Sequence, residues 1–403
     1  MKKGIISILI ICILSNLFAT VIYAYSEDFP VWSEATPTFA KIENKANLNL
    51  SVESAILIEE DTGTILYTKN EHTKLRPASV TKVMTLLLIM EALDEGKITL
   101  NDKVPCSAKA NSMGGSQIWL DQTEELTVHE MLKAICVVSA NDCTVAMAEF
   151  LSGSEEAFVE KMNARAKELG MNDTTYKNSH GIDEEGHLTS AYDIAILSRE
   201  LSKNHPKIHE YTKIWMDTLR DGKSQLVNTN KLVRFYSGCT GLKTGSTSLA
   251  GFNLSATATR NDLKLIAVVM KGENSQKRFD DAKTLLDYGF ANYSSKQLCK
   301  RGDILTKIPI EKAKKKEAEI IIGEDKYALV GKGSGNEILT ETIMQEKISA
   351  PLEYNDKVGE IVYKLNDEEI ARVSLMTNEK IDRKNVIDFN NEIVDLWFTL
   401  GRR

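Results

Sequence analysis

Three short segments carry the residue types of an acyl-transfer centre, and they stand in a fixed order along the chain. Ser79-Val80-Thr81-Lys82 comes first, Ser139-Ala140-Asn141 second and Lys243-Thr244-Gly245 third. A serine hydroxyl attacks a carbonyl only when a neighbouring base removes its proton. Lys82 lies three residues after Ser79, so on a helix the two share one face, one turn apart. Ser79 would sit at the helix N-terminus, where backbone N–H groups and the macrodipole favour developing negative charge. Lys82 serves as a base only if burial and a nearby cation lower its pKa, and Lys243 is the candidate cation. The Ser139 hydroxyl is placed to relay a proton to a leaving amine, and the Asn141 amide to hold a substrate carbonyl. Lys243 brings positive charge, Thr244 a hydroxyl for a carboxylate, and Gly245 room for a substrate backbone alongside a strand. The N–H groups of Ser79 and Ser246 would complete an oxyanion hole. Taken singly, each triplet also fits an ordinary helix cap or loop; the ordered set gives the chemistry.

These parts need elements to hold them. Alternating apolar residues and the turn Asp61-Thr62-Gly63 predict a hairpin over Ser54–Tyr67. A helix is expected from Ser79 to about Glu95, introduced by Pro77 and closed by Gly96. It is apolar on most sides, as a helix buried at the domain centre would be. Further helices are expected over Thr127–Val137, Glu155–Leu169, Ser190–Leu201 and Lys277–Phe290, and Asn261-Asp262 marks a second hairpin, Gly251–Thr259 with Leu263–Lys271. Lys243-Thr244-Gly245 fits the edge strand of the sheet. Hairpins at both ends of a helical middle make residues 50–293 an α/β domain built on an antiparallel sheet. Residues 297–378 switch to short apolar runs separated by Gly-, Asn- and Asp-rich turns, a small all-β domain. Residues 385–403 return to helical spacing, with Val386, Phe389, Ile393, Leu396, Trp397 and Leu400 on one face. Arg402-Arg403 close the chain, and the segment reads as an amphipathic helix lying on a membrane surface.

At the other end, Met1-Lys2-Lys3 precedes an uncharged, largely apolar run from Gly4 to Ala24, which reads as a secretory signal peptide cleaved after Ala24, with Ala19 as a second site. Polar residues 25–49 form a lead-in. An exported, peripheral protein at the outer face of a bacterial cytoplasmic membrane is the expected location. Loss of Lys2 and Lys3 moves the formal charge from −7 to −9, and no basic stripe appears, so nucleic acid is not an expected partner. The run Lys312, Lys314, Lys315 and Lys316 reads as a solvated turn. Cys106, Cys136, Cys143, Cys239 and Cys299 remain after processing, an odd and sparse set that reads as thiols rather than a disulfide framework.

The chain resembles low-molecular-weight penicillin-binding proteins, the serine-type D-alanyl-D-alanine carboxypeptidase family, over about Val52 to Met376. Pro77-Ala78-Ser79-Val80-Thr81-Lys82-Val83-Met84-Thr85 matches the family's nucleophile segment. Asn178-Ser179-His180-Gly181-Ile182-Asp183 resembles its Asn-x-His-Gly-Leu-Asp loop. Arg278-Phe279, before the Lys283–Phe290 helix, resembles its substrate-carboxylate arginine. Ala140 departs from the usual Gly or Asp. The resemblance implies a Ser79 acyl-enzyme on the penultimate D-alanine of peptidoglycan pentapeptide stems, release of terminal D-alanine, hydrolysis, and inhibition by β-lactams that mimic the substrate. It implies no cofactor. Endopeptidase action and a silent penicillin-sensing or wall-binding protein are the alternatives, with a class A-like β-lactamase suggested by the Glu168–Asn172 spacing. Leu169-Gly170, a helix C-cap, would leave Glu168 at the surface. His180, Asp183 and His187 suggest a metal at first sight, but no His-Glu-x-x-His stands in the sequence and no metal is expected.

Overall fold

The computed structural model describes residues 46–333, 338–345, 347–365 and 367–400, without the side chains of 392, 395, 396 and 398–400. The expected signal peptide, the lead-in up to residue 45, Arg402-Arg403, and the face positions of Leu396 and Leu400 lie outside the described residues and side chains.

A five-stranded sheet of order β2-β1-β5-β4-β3 forms the first domain's frame. Its strands are β1 (Ser54–Glu59), β2 (Ile65–Lys69), β3 (Cys239–Thr247), β4 (Gly251–Arg260) and β5 (Leu263–Gly272). Every pairing is antiparallel. Asn261 and Asp262 both take positive φ (47° and 62°), which matches the twist of a two-residue hairpin, so β4 and β5 join where the sequence predicts. The centre of the sheet is covered on both sides. Ile266, Val268 and Met270 of β5 pack into the helical core, and Leu265, Ala267 and Val269 pack on the opposite face. That is the period-2 alternation of a strand with two apolar neighbours.

The helical layer holds α1 (Lys82–Asp94), α2 (Val128–Val137), α3 (Asn141–Ser152), α4 (Glu155–Glu168) and α5 (Ala191–Asn204). Thr127 and Glu130 close a reciprocal capping box on α2, and Ser154 and Ser190 cap α4 and α5 through their side chains. Helix α1 buries nine of its thirteen residues, Lys82 among them. Helix α6 (Ser275–Asn292) covers the other face with Phe279, Leu285 and Leu286. Arg278 lies in its first turn, inside the helix expected from Lys277, which Asn274 caps and starts two residues earlier.

Strand β6 (Tyr293–Cys299) follows α6 directly, so the expected break between the domains falls inside a strand. It pairs with β9 (Lys326–Gly331). A second sheet of order β7-β8-β12-β11-β10 comprises β7 (Ile304–Pro309), β8 (Glu317–Ile322), β10 (Ile338–Met344), β11 (Lys357–Leu365) and β12 (Glu368–Thr377). Helix α7 (Val386–Leu400) ends the described chain, with Val386, Ile387, Phe389, Ile393, Val394 and Trp397 exposed. No described helix is long and apolar enough to cross a membrane.

Candidate active site

The site is assembled where the N-terminus of α1 meets the edge strand β3. Ala78–Thr81 form one 3₁₀ turn, and the α-helix begins only at Lys82. Ser79 therefore sits on the turn that leads into α1. Ala78 holds φ at +50°, an unfavourable region for a residue with a Cβ, which persists only where the surroundings impose it. Here they do. Asn253 Nδ2 donates to the carbonyls of Arg76 (2.8 Å) and Pro77 (3.0 Å). On the other side Gly181, at φ +93°, lies so close that an added Cβ would sit 1.9 Å from the Ala78 carbonyl oxygen.

Lys82 is wholly buried. Its Nζ lies 3.1 Å from Ser79 Oγ, 2.6 Å from Asn141 Oδ1 and 2.7 Å from the His180 carbonyl oxygen. Three acceptors match the three N–H bonds of an ammonium; with one proton gone, the lone pair has Ser79 Oγ to face. Burial pushes the Lys82 pKa well below its ordinary value, the positive charge of Lys243 pushes it further, and Asp142 partly opposes them. The pKa that the base requires thus has named physical causes.

Ser139 and Asn141 follow α2 and start α3. Ser139 holds φ at +65°, and its buried Oγ has no hydrogen-bond partner. A buried hydroxyl left without a partner, two residues from Asn141, calls for a functional reason. The Asn141 amide is more occupied than the sequence suggested. Its Oδ1 faces Lys82, and Nδ2 donates to the Gly114 carbonyl at 2.7 Å. One N–H remains for a substrate carbonyl.

Lys243 and Gly245, two residues apart on β3, share a strand face. A Cβ on Gly245 would lie 2.8 Å from the backbone nitrogens of Ser79 and Val80, so the strand and the nucleophile turn touch. Ser246 follows at the exposed end of β3, and Thr244 Oγ1 is 2.7 Å from Thr229 Oγ1. Lys243 Nζ donates to the Thr244 carbonyl, and burial brings its pKa down to about 7, with Arg278 adding to the effect. Arg278 donates to the carbonyls of Gly245 (3.2 Å) and Asn253 (3.3 Å), leaving Nε without a partner. Burial lowers its pKa to about 10. Among the described residues no carboxylate forms an ion pair with Lys82, Lys243 or Arg278. Buried, unpaired cations of this kind suit an anionic ligand.

Direct contacts and close charges thus link Ser79, Lys82, Asn141, Lys243, Gly245 and Arg278, with Thr244 and Ser246 on the same strand and Ser139 two residues before Asn141. The geometry also brings in what spacing did not reveal. His180 contributes its backbone carbonyl to Lys82, while burial holds its ring pKa near 4. The ring of His187 lies 2.8 Å from Thr81 Oγ1 and accepts from the Lys177 amide. Both rings are engaged in holding loops. Glu168 points to Arg165 on the outer side of α4 and is largely exposed, as the C-cap at Leu169-Gly170 predicts. Cys106, Cys136 and Cys143 are buried free thiols, and Cys239 and Cys299 are partly buried free thiols. One described cluster, Glu91, Glu200 and His205, has metal-like spacing, but the Arg165 guanidinium already donates to both glutamates.

Residues 40–274 match the D-alanyl-D-alanine carboxypeptidase family, and residues 293–383 match the C-terminal domain of penicillin-binding protein 5. The chain is 44% identical over 369 residues to the D-alanyl-D-alanine carboxypeptidase DacF of Bacillus subtilis, covering 90% of this chain and 95% of that protein. It superposes on penicillin-binding protein 5 of Haemophilus influenzae with a TM-score of 0.70 and 29% identity, over 84% of this chain and 100% of the other. Penicillin-binding protein D2 of Listeria monocytogenes in its ampicillin-bound form gives a TM-score of 0.56 at 30% identity, over 61% of this chain and 100% of that one.

Proposed function

The chain belongs to the D-alanyl-D-alanine carboxypeptidase family, and from that premise we propose a serine acyl-enzyme mechanism in which Ser79 is the nucleophile. The observation that carries it is the buried Lys82 Nζ 3.1 Å from Ser79 Oγ. Neutral Lys82 takes the Ser79 proton as Oγ bonds to the carbonyl carbon of the penultimate D-alanine. The tetrahedral oxyanion accepts from the N–H groups of Ser79 and Ser246. Collapse breaks the peptide bond, and the Lys82 proton passes through Ser139 Oγ to the leaving nitrogen of terminal D-alanine. Water then hydrolyses the ester, returning Ser79. Lys243, Thr244 and Arg278 hold the terminal carboxylate, for which the unpaired cations leave room. The ligand state of the Listeria relative supports β-lactams as substrate mimics that acylate the same serine. Incubation with a peptide ending in D-Ala-D-Ala should release free D-alanine, and Ser79→Ala should release none. Equal release by that variant overturns the assignment.

The remainder of the reading concerns place. Residues 1–24 act as a cleaved export signal, and the C-terminal helix rests on the membrane surface. The exposed Val386, Phe389, Ile393 and Trp397 support this. Asp388, Glu392 and Asp395 disfavour anionic lipid, so attachment rests on apolar burial and is reversible. Deleting residues after Asn385 should release the processed protein from membranes and spare activity on soluble peptides. Sedimentation of the truncated protein with membranes would count against it.

A further inference from the structure

The Lys82 amine is aimed by three acceptors, and one of them is a backbone carbonyl on a loop. A carbonyl on a loop points reliably only if the peptides on both sides of it are fixed. On the C-terminal side, Gly181 N donates to Asn178 Oδ1 at 2.7 Å. On the N-terminal side, Ser179 is fixed by a buried carboxylate. Glu155 Oε1 accepts from Ser179 N at 2.9 Å and from Ser179 Oγ at 2.6 Å, and it lies 3.5 Å from His180 Nε2. Thr85 Oγ1, on α1 one turn beyond Lys82, donates to the Ser179 carbonyl at 2.7 Å. Glu155 is the first residue of α4, only about a twentieth exposed, and touches none of the groups assigned to the reaction itself.

We propose that Glu155 is a positioning residue for acylation: by clamping Ser179 it holds the His180 carbonyl against Lys82 and so aims the amine's lone pair at Ser79. The proposal rests on the Ser79–Lys82 reading above. With the His180 carbonyl free to swing away, a neutral amine loses one of its two fixed N–H bonds and can rotate. A misplacement of about 1 Å at a reacting group can cost about 100-fold in rate. A surface carboxylate would have no such reach; this one is buried, and burial alone would raise its pKa. The two Ser179 hydrogen bonds and Lys109 outweigh that and keep it a carboxylate. The titratable groups facing Glu155 are Lys109, 2.9 Å away, and the His180 ring, which burial keeps neutral. Glu156, its neighbour, shares Lys109. Those acting on Lys82 are Lys243 on β3 and Asp142 on α3, with the His180 ring also close by.

The test is the rate of acylation by a penicillin across pH on the full processed chain, with thermal melts of each variant. Glu155→Ala should lower the plateau rate by about 10-fold or more. Glu155→Gln keeps an oxygen for Ser179, so its plateau should stay within about 3-fold of wild type. Its acid limb should stay in place, because the charges acting on Lys82, those of Lys243 and Asp142, are untouched and Lys109 keeps Glu156. A role confined to folding would lower the melting temperature and the amplitude of acylation but leave the rate constant of the folded fraction at its wild-type value. If Glu155→Ala does not fold, Ser179→Ala, which removes only the 2.6 Å bond, decides. A folded Glu155→Ala with the wild-type rate constant overturns the proposal, and where that variant does not fold, a wild-type rate constant in Ser179→Ala does. An adduct on Ser79→Ala, run in parallel, would instead bring down the reading beneath.

Discussion

The cations of the cleft and the cations of the β-domain surface follow opposite rules. On β11 and β12, Arg372 lies between Glu360 and Glu369, Lys364 meets Glu341 at 2.6 Å, and Lys357 meets Glu360 at 2.6 Å. These pairs are exposed, and partners raise the pKa of Arg372 and of Lys364. In the cleft Lys82, Lys243 and Arg278 are buried, have no paired carboxylate, and have their pKa values lowered. The surface neutralises charge where water already screens it, which contributes little to stability. The site leaves these groups without a counter-charge where burial makes one count most. Burial without a partner lowers the pKa of a basic side chain, and an exposed partner raises it.

The sharpest way to break that contrast is Lys82→Ala. Acylation by a penicillin, followed by intact mass, should slow by about 10²–10⁴-fold, the usual contribution of a general base. The fold should hold while the melting temperature falls modestly, since Asn141 Oδ1 and the His180 carbonyl lose their donor in a buried site. An acylation rate equal to wild type would place the base elsewhere.

The next effect concerns the clamp. A D-Ala-D-Ala peptide amidated at its C-terminus should be turned over about 10–100-fold less efficiently than the acid, on the scale of one or two charged hydrogen bonds lost. Equal kcat/KM for acid and amide would show that Lys243 and Arg278 do not read the carboxylate.

A smaller effect follows from Lys243, whose pKa is about 7 folded against 10.5 as the ordinary value. Between those values the unfolded chain binds the extra proton, so this residue makes stability rise with pH from about 7 upward. Below about 7 both states are protonated and its penalty is complete. Denaturant titrations at pH 7 and 9 should therefore show a steeper gain for wild type than for Lys243→Ala. Parallel slopes would contradict the lowered pKa. Binding of a carboxylate ligand to Ser79→Ala near pH 8 should likewise take up protons, seen as a buffer-dependent heat.

The smallest effect belongs to the surface. Arg372→Ala should leave the melting temperature and acylation unchanged within error, and any residual difference should vanish at high salt.

Much of this arrangement is legible in the chain. The hairpin at Asn261-Asp262 is written in two residues that tolerate positive φ, and α2, α4 and α5 are announced by Thr127, Ser154 and Ser190 at their caps. Helix α3 is not announced: Ala140 caps it without a side chain, and Asn141 to Ala148 are all buried, which erases the amphipathic stripe. Strand β10, with Thr340, Glu341 and Thr342 at an edge, lacks the apolar run that marked its neighbours. Within the site, the Ser79–Lys82 spacing reads directly as geometry. The clamp of Glu155 on Ser179 crosses 24 residues of chain, and no local periodicity encodes such a contact.

Gly245 gives the cleft its calliper. Because nothing projects from that residue, β3 rests against the nucleophile turn with no slack, and the two N–H groups offered to an oxyanion ride on surfaces already in contact. Their separation is therefore set by the sheet and the start of α1, because a side chain at position 245 would have to push the strand off the turn.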